Sequence, residues 1–383
     1  MKTVSDYWFA IEPYVFIDIK NKNALLYNTL DRATIESTNE KIIEILHDTL
    51  KEENCGVALL TNEQYQQKEV NCFICELREK FMGDVIDVSL SNGKPVQLLP
   101  FYNYSKEQEV YKKNNFSSYK NVLEKLFEIS IHVDITTDIT NLIRFLASIP
   151  QNLTLNIIGN IGEVPKYSEL LSYLDQYSSP KNLLCSYENV IALQPIYENN
   201  FSYQITVSFP IDVKQWNRAT EILLSQTLPF EFVFNVSSED NIQQSEQLIE
   251  QYQIEKYKLK PNYTGNNIRF FEEEVFLSKE DILSTSMTIK DFFAHQAVNI
   301  YDFGKINIMP NGDTYANLNH PLLGNIYVNN IHEILHKEVE EGKSWLRIRN
   351  EAPCTDCVYQ WICPPPSNYE IAIGRPNLCH VKE

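Results

Sequence analysis

No apolar run in this 383-residue sequence approaches the length needed to span a bilayer, because Asp, Asn or Lys interrupts each hydrophobic stretch within about ten residues. A membrane-spanning role is therefore not expected. Positive charge is also scarce: 33 Lys and Arg stand against 51 Asp and Glu, a formal net charge of -18. Such a surface repels phosphate backbones and anionic lipids, which argues against general binding to nucleic acid or membranes and favours basic or neutral partners. The stretch Met1 to Tyr14 mixes Trp8, Phe9 and Ile11 with Asp6 and Glu12 and lacks the basic-then-apolar layout of a signal peptide. A cytoplasmic location is expected. Low-complexity tracts, exact internal repeats, a P-loop, a nucleophile elbow and a kinase signature are all missing.

What is present fits a folded chain. Apolar residues at 43% and aromatics at 12% are far from a disordered composition, and the length exceeds what one core usually serves, so two or three domains are expected. Tyr14 to Ile19 and Ala24 to Asn28 read as strands, and Ser37-Thr38-Asn39 as a helix cap. Ile42, Leu46 and Leu50 then recur at helical spacing. Cys55 to Leu60 reads as a strand, followed by a helix carrying Val70, Phe73, Ile74 and Leu77. Strands and helices mixed over about ninety residues suggest a small α+β unit of winged-helix type. The polar stretch Tyr104 to Ser118 is the expected linker, and a helix with Tyr119, Val122, Leu123, Leu126 and Phe127 follows it.

From there strand and helix alternate. Strand Ile129 to Val133 leads to a helix with Ile139, Leu142, Ile143 and Leu146, and Leu153 to Ile158 to one with Tyr167, Leu170, Leu171 and Leu174. Tyr203 to Phe209 and Phe230 to Val236 open two more units, and Lys256 to Lys260 reads as a further strand. Repeated βα units imply a parallel sheet with helices outside, open or curled into a partial barrel. Beyond the Glu-rich stretch Phe271 to Asp281 come a strand from Lys305 to Met309, the turn Pro310-Asn311-Gly312-Asp313, and a helix around Ile331 to Val339.

Half of the eight cysteines fall in the tail: Cys354, Cys357, Cys363 and Cys379 are separated by two, five and fifteen residues. Four clustered thiolates complete either a tetrahedral zinc site or the outer shell of a [4Fe-4S] cluster, and a large cytosolic chain uses clustered Cys for metal rather than for disulfides. Pro364, Pro365 and Pro366 stiffen the chain leaving Cys363. Cys72-Phe73-Ile74-Cys75 also has the Cys-x2-Cys form, but it lies within an amphipathic helix without a second pair nearby. Its thiols, like Cys55 and Cys185, are expected to be buried as small hydrophobes. His332-Glu333-Ile334-Leu335-His336 matches the HExxH string, yet no third ligand accompanies it, and chance is the better explanation of so short a match.

The tail resembles a known family. Pro310-Asn311-Gly312-Asp313-Thr314-Tyr315, Leu323-Gly324-Asn325-Ile326 and the Cys-x2-Cys-x5-Cys run with its later Cys look like a SPASM domain, the C-terminal extension of peptide-modifying radical SAM maturases. The resemblance implies one or two auxiliary [4Fe-4S] clusters, and Cys354, Cys357, Cys363 and Cys379 match all four ligands of the second. Asn317 and Ser367 stand where the first cluster would need Cys, so that cluster is not expected. In the same family the first barrel strand runs into a Cys-x3-Cys-x2-Cys loop that holds the catalytic cluster and S-adenosylmethionine. Here Asp134-Ile135-Thr136-Thr137-Asp138 follows that strand, and no triad of that spacing exists anywhere. Gly159-Asn160-Ile161-Gly162-Glu163-Val164-Pro165 resembles a decayed form of the family's cofactor loop. Over nearly its whole length the chain is similar to the pseudo-radical-SAM proteins that accompany GG-leader (Bacteroidales-type) peptide maturation.

The expected fold is α/β: a degenerate radical-SAM-like partial (βα) barrel over 119–300, preceded by an α+β winged-helix-like, peptide-recognition-like unit over 1–103 and followed by a SPASM-like iron-sulfur domain over 301–383. The implied function is that of a pseudoenzyme carrying one [4Fe-4S] cluster, without use of S-adenosylmethionine. Its implied partners are a ribosomal precursor peptide and a catalytically active radical SAM maturase. An edge strand such as Tyr14 to Ile19 could take up an extended leader by strand addition. The alternatives are a metalloenzyme that uses other residues of the same barrel and a structural zinc-binding module.

Overall fold

The computed structural model describes residues 5–95, 116, 122–196, 201–225 and 229–381. The expected linker Tyr104 to Ser118, Phe116 apart, lies outside the described residues, as does the start of the next helix at Tyr119.

Alternation writes the central sheet. In β7 (Glu128–Val133) the residues Ile129, Ile131 and Val133 are buried, while Glu128, Ser130 and His132 between them are only half-buried. The same period runs through β8 (Thr154–Gly159), β9 (Lys181–Ser186) and β10 (Ser202–Ser208). With β11 (Phe230–Val236) and β12 (Tyr257–Pro261) these strands pair in parallel and in strict sequence order. A monotonic order with right-handed crossovers puts the connecting helices on one face, which is a singly wound sheet rather than a doubly wound one. The helices α4 (Ile139–Leu146), α5 (Tyr167–Leu174), α6 (Val213–Leu224) and α7 (Glu239–Tyr252) make that cover. Leu142, Leu146, Leu170, Leu174, Trp216 and Leu223 join the odd-numbered side chains of β7 in one core cluster, where Trp216 packs against Phe232 and Phe234 of β11; a fully buried Leu is worth about 1.5–3 kcal/mol.

The far flank of β7 is taken by β13 (Lys305–Ile308), parallel to it, and then by the antiparallel β14 (Asp313–Tyr315) and β15 (Gly324–Asn325). One nine-stranded sheet among the described residues thus runs from β12 to β15. Between β12 and β13 lie three short helices, α8 (Ile268–Glu274), α9 (Lys279–Ser284) and α10 (Ile289–Ala297), the first two spanning most of the Glu-rich stretch Phe271 to Asp281. After β15 comes α11 (Ile331–Glu341), and α12 (Asn368–Ile373) lies within the cysteine-rich tail.

The N-terminal unit holds two three-stranded antiparallel sheets. In the first, β1 (Tyr7–Ile11) lies between β5 (Val57–Leu60) and β6 (Gly83–Asp87). The second is β2 (Val15–Lys20), β3 (Asn23–Asn28) and β4 (Thr34–Ser37). Asn39 caps α1 (Glu40–Thr49) as its residue type predicted, its side chain accepting from the Lys41 and Ile42 amides. A one-turn α2 (Asn62–Tyr65) precedes α3 (Lys68–Glu79), which buries Val70, Phe73, Ile74 and Leu77.

This unit does not stand apart. Leu25 and Tyr27 of β3 are fully buried in one cluster with Ile282, Phe292, Tyr359 and Ile362. Tyr27 donates its hydroxyl to the Thr285 carbonyl at 2.8 Å, and Lys279 pairs with Glu36 at 2.8 Å. The β2–β4 sheet therefore forms one wall of the core beneath the cysteine-rich tail.

Candidate metal centre

Cys354 opens a short 3-10 turn, Cys354–Asp356, and Cys357 follows it directly. Two further backbone turns, from Gln360 to the Cys357 carbonyl and from Cys363 to the Tyr359 carbonyl, coil the chain tightly to the third cysteine. Cys379 arrives from the chain end, held where Leu277 and Cys379 form a bridge and the Leu277 amide donates to the Leu378 carbonyl at 3.0 Å. All four expected cysteines line a single cavity of about 460 Å³, together with Arg349, Gln360, Asn377 and Leu378.

The four thiols share the lining of that cavity. No three His, Cys, Asp or Glu side chains among the described residues converge closely enough to hold one metal ion. A single tetrahedral ion needs its four sulfurs drawn onto one centre, whereas a cubane cluster fills the middle and keeps its four thiolates apart. Four thiols around one cavity fit the outer shell of such a cluster, and the same donor set would serve a tetrahedral zinc ion.

One buried cation at the cavity, Arg349, favours thiolates, against burial and the Glu370 carboxylate. Arg349 is buried, with Nη1 3.9 Å from the Cys354 sulfur and 2.9 Å from Glu370 Oε1. Burial raises the thiol pKa of Cys354, and pushes that of Cys363 up to about 11, against the opposing pull of the Arg349 guanidinium. The Asn377 amide reaches the Cys379 sulfur at 3.4 Å. The three prolines do more than stiffen the chain: the Pro364 carbonyl accepts from Arg349 Nε, and the Pro366 carbonyl accepts from Asn299 at 2.9 Å and Arg347 at 2.8 Å. Proline keeps its carbonyl while losing its N–H, so the run works as an acceptor strip for buried cations and amides.

The two positions where the resemblance would need Cys for a first cluster are occupied by a polar network. Asn317 is buried and donates to both carboxylate oxygens of Asp302 at 3.0 Å and to Asn368, while Ser367 caps α12 in a box with Glu370. Arg347 closes the network, 3.7 Å from Asp302.

The loop after β7 is closed on itself. Asp134 accepts from the Thr136 amide at 2.7 Å and from its hydroxyl at 2.6 Å, Thr137 Oγ1 accepts from the Asp134 amide, and Asp138 caps α4. Beside it, Gly159 ends β8 at φ +132, with the Val133 carbonyl where a Cβ would sit, so the two strand ends approach each other only because residue 159 is glycine.

Other candidates are placed differently from expectation. Cys185 is buried and its pKa is pushed up to about 12, but Cys55, Cys72 and Cys75 are exposed, which corrects the reading of them as buried small hydrophobes. The reason is helical phase: the buried stripe Val70, Phe73, Ile74 and Leu77 turns positions 72 and 75 to solvent. In the HExxH string Glu333 is engaged in the cap of α11, accepting from the Asn330 amide at 3.2 Å. Sequence reasoning missed Arg349 and Glu370, although two oppositely charged residues flanking a cysteine cluster were there to be noticed.

No protein-family model matches this chain, and no curated protein matches it in sequence. Among solved structures the chain is similar to the crystal structure of Streptococcus suis SuiB bound to S-adenosylmethionine. The match has a TM-score of 0.42 and 11% identity, and covers 97% of this chain and 98% of that chain.

Proposed function

We propose that the protein is a non-catalytic partner of a peptide-modifying radical SAM maturase, carrying one auxiliary [4Fe-4S] cluster on Cys354, Cys357, Cys363 and Cys379. The observation that carries this reading is a contrast between two places in the chain. The tail wraps four thiols around one cavity, while the loop after β7 contains no thiol and is tied shut by Asp134 and Thr137. A cluster on the tail would add a rigid cross-link between the Cys354–Cys363 segment and Cys379, with Arg349 offsetting part of its negative charge. The element order helix, strand, helix, helix, strand from α1 to β6, with β1 completing the sheet, supports a winged-helix-like reading of the N-terminal unit, the part assigned to peptide capture.

Anaerobically purified protein should contain iron and sulfide and should form no 5'-deoxyadenosine when reduced with S-adenosylmethionine. Stoichiometric zinc without iron would replace the cluster with a structural zinc module, and 5'-deoxyadenosine formation would make the chain an enzyme. The partner assignment is tested by retention of the neighbouring precursor peptide and maturase on the immobilised full chain. Failure to retain either at micromolar concentration overturns it.

A further inference from the structure

The sheet ends on β12, which among the described residues pairs on one side only, with β11. Every residue from Glu255 to Lys260 is exposed, Tyr257 at 45% and Leu259 at 38%. The bonds from the Phe232 amide to the Lys256 carbonyl and from the Asn262 amide to the Val236 carbonyl fix the ladder's phase. In a parallel pair alternate residues bond to one neighbour, so 256, 258 and 260 face β11 through their backbone while the N–H and C=O of Tyr257 and Leu259 point outward. Side chains alternate too. Lys256, Lys258 and Lys260 share the sheet face of Glu231 and Val233, and Tyr257 and Leu259 the face of Phe232 and Phe234. Among the described residues, Lys258 alone of the three has an acidic partner, Glu231 at 2.8 Å.

Lysine on an edge strand is also a common guard against aggregation. Here Pro261 ends the strand as a second guard, but the stretch before it is open: Tyr257 and Leu259 are exposed on the second face, and at its start lies a cavity of about 300 Å³ lined by Leu224, Phe230, Phe232 and Lys256. The edge of β2, by contrast, has no exposed residue, and its Phe16 is covered by Phe292.

We infer that the β12 edge is a docking site for an extended acidic peptide, added as a further strand with Asp or Glu at alternate positions over Lys256, Lys258 and Lys260. The three same-face lysines, on a chain of net charge -18, supply the charge complementarity, the outward amides of Tyr257 and Leu259 supply the ladder, and the flanking cavity takes an apolar side chain. This deepens the adaptor reading by naming a surface and a chemistry, and rests on it only for the source of the peptide.

The test uses the full chain and a fluorescein-labelled peptide of about eight residues alternating Glu with Val, followed by anisotropy. Binding should saturate in the micromolar range, weaken with salt, and fall at least about tenfold in K256E/K260E, which reverses the charge. Leu259→Pro, which removes an outward N–H while sparing the bonds to β11, should weaken it equally. Lys214→Glu, on the exposed side of α6, should not, and matched thermal melts exclude misfolding. Lack of binding, equal binding of a Lys-for-Glu peptide, indifference to both edge variants, or chain self-association abolished by Leu259→Pro would each overturn the proposal. Because neither precursor nor maturase is present, failure here leaves the adaptor reading standing, and failed retention of those partners leaves this one.

Discussion

Phe16 of β2 stacks on Phe292 of α10 with ring centroids 3.9 Å apart and planes inclined by only 11°. The contact joins residues 276 positions apart, and Phe292 is fully buried between that ring and the edge of Tyr27. The N-terminal unit is thereby part of the tail's core. Phe292→Ala should cost about 3–5 kcal/mol in urea unfolding, as large-to-small core changes do. It should also raise hydrogen exchange across β2 to β4. Loss of stability without faster exchange there would mean that the two regions do not depend on each other.

The four cysteines make separate predictions from the other four. Cys363→Ala should abolish bound iron, since a cluster held by three thiolates at this site loses both a ligand and a wall of its cavity. The double variant C72A/C75A should leave iron content unchanged, because both thiols are exposed on α3. Iron and sulfide analysis after anaerobic purification checks both, and retention of full iron in Cys363→Ala would remove that residue from the ligand set.

Much of the central sheet was legible because its strands carry strict alternation on one covered face, as in Ile129, Ile131 and Val133. The strand β9 was not. It starts with the polar pair Lys181-Asn182 and is followed by a 3-10 stretch, Tyr187–Ile196, in place of a helix, so the βα period breaks there. The helices α8, α9 and α10 are seven, six and nine residues long, too short for an amphipathic period to stand out. The tail cysteines announced themselves by spacing, whereas the wall that β3 builds beneath them depends on contacts more than 250 positions apart, such as Tyr27 to Thr285. No local pattern encodes those. The exposure of Cys72 and Cys75 could have been read from the phase of the α3 stripe.

Arg349 and Glu370 form a buried ion pair at 2.9 Å, both side chains less than a tenth exposed. Removing one partner of such a pair leaves a bare buried charge and costs about 3–5 kcal/mol, while removing both costs less. Arg349→Gln should therefore be markedly destabilised, and R349Q/E370Q should regain part of the loss. Denaturant melts of the two singles and the double close the cycle, and purely additive losses would show that the pair is not coupled.

Glu338 gives the sign of a pH effect. It is buried at the end of α11, and burial, with a smaller contribution from the Asp302 charge, raises its pKa to about 7, even though its Oε1 accepts from the Ser344 and Trp345 amides at 2.9 and 2.7 Å. The folded state thus holds a proton between about pH 4.5 and 7 that the unfolded chain has released. Stability from this group is full below the unfolded pKa and is lost as pH rises from there through 7, by about 3 kcal/mol. A second group nearby opposes it: His320, bonded to the Ser344 hydroxyl at 2.8 Å, is held neutral with its pKa lowered to about 4 by burial and by Arg347 and Lys343, and its contribution falls as pH drops below 6.5. The difference between wild type and Glu338→Gln isolates the carboxyl, because the amide oxygen can still accept from Ser344 and Trp345 while His320 is unchanged. Glu338→Gln should match or exceed the wild type at pH 8 and lose that advantage by pH 5.5 in parallel urea melts. A constant difference across that interval would mean that Glu338 is ionised in the folded protein throughout, its two amide donors outweighing the cost of burial.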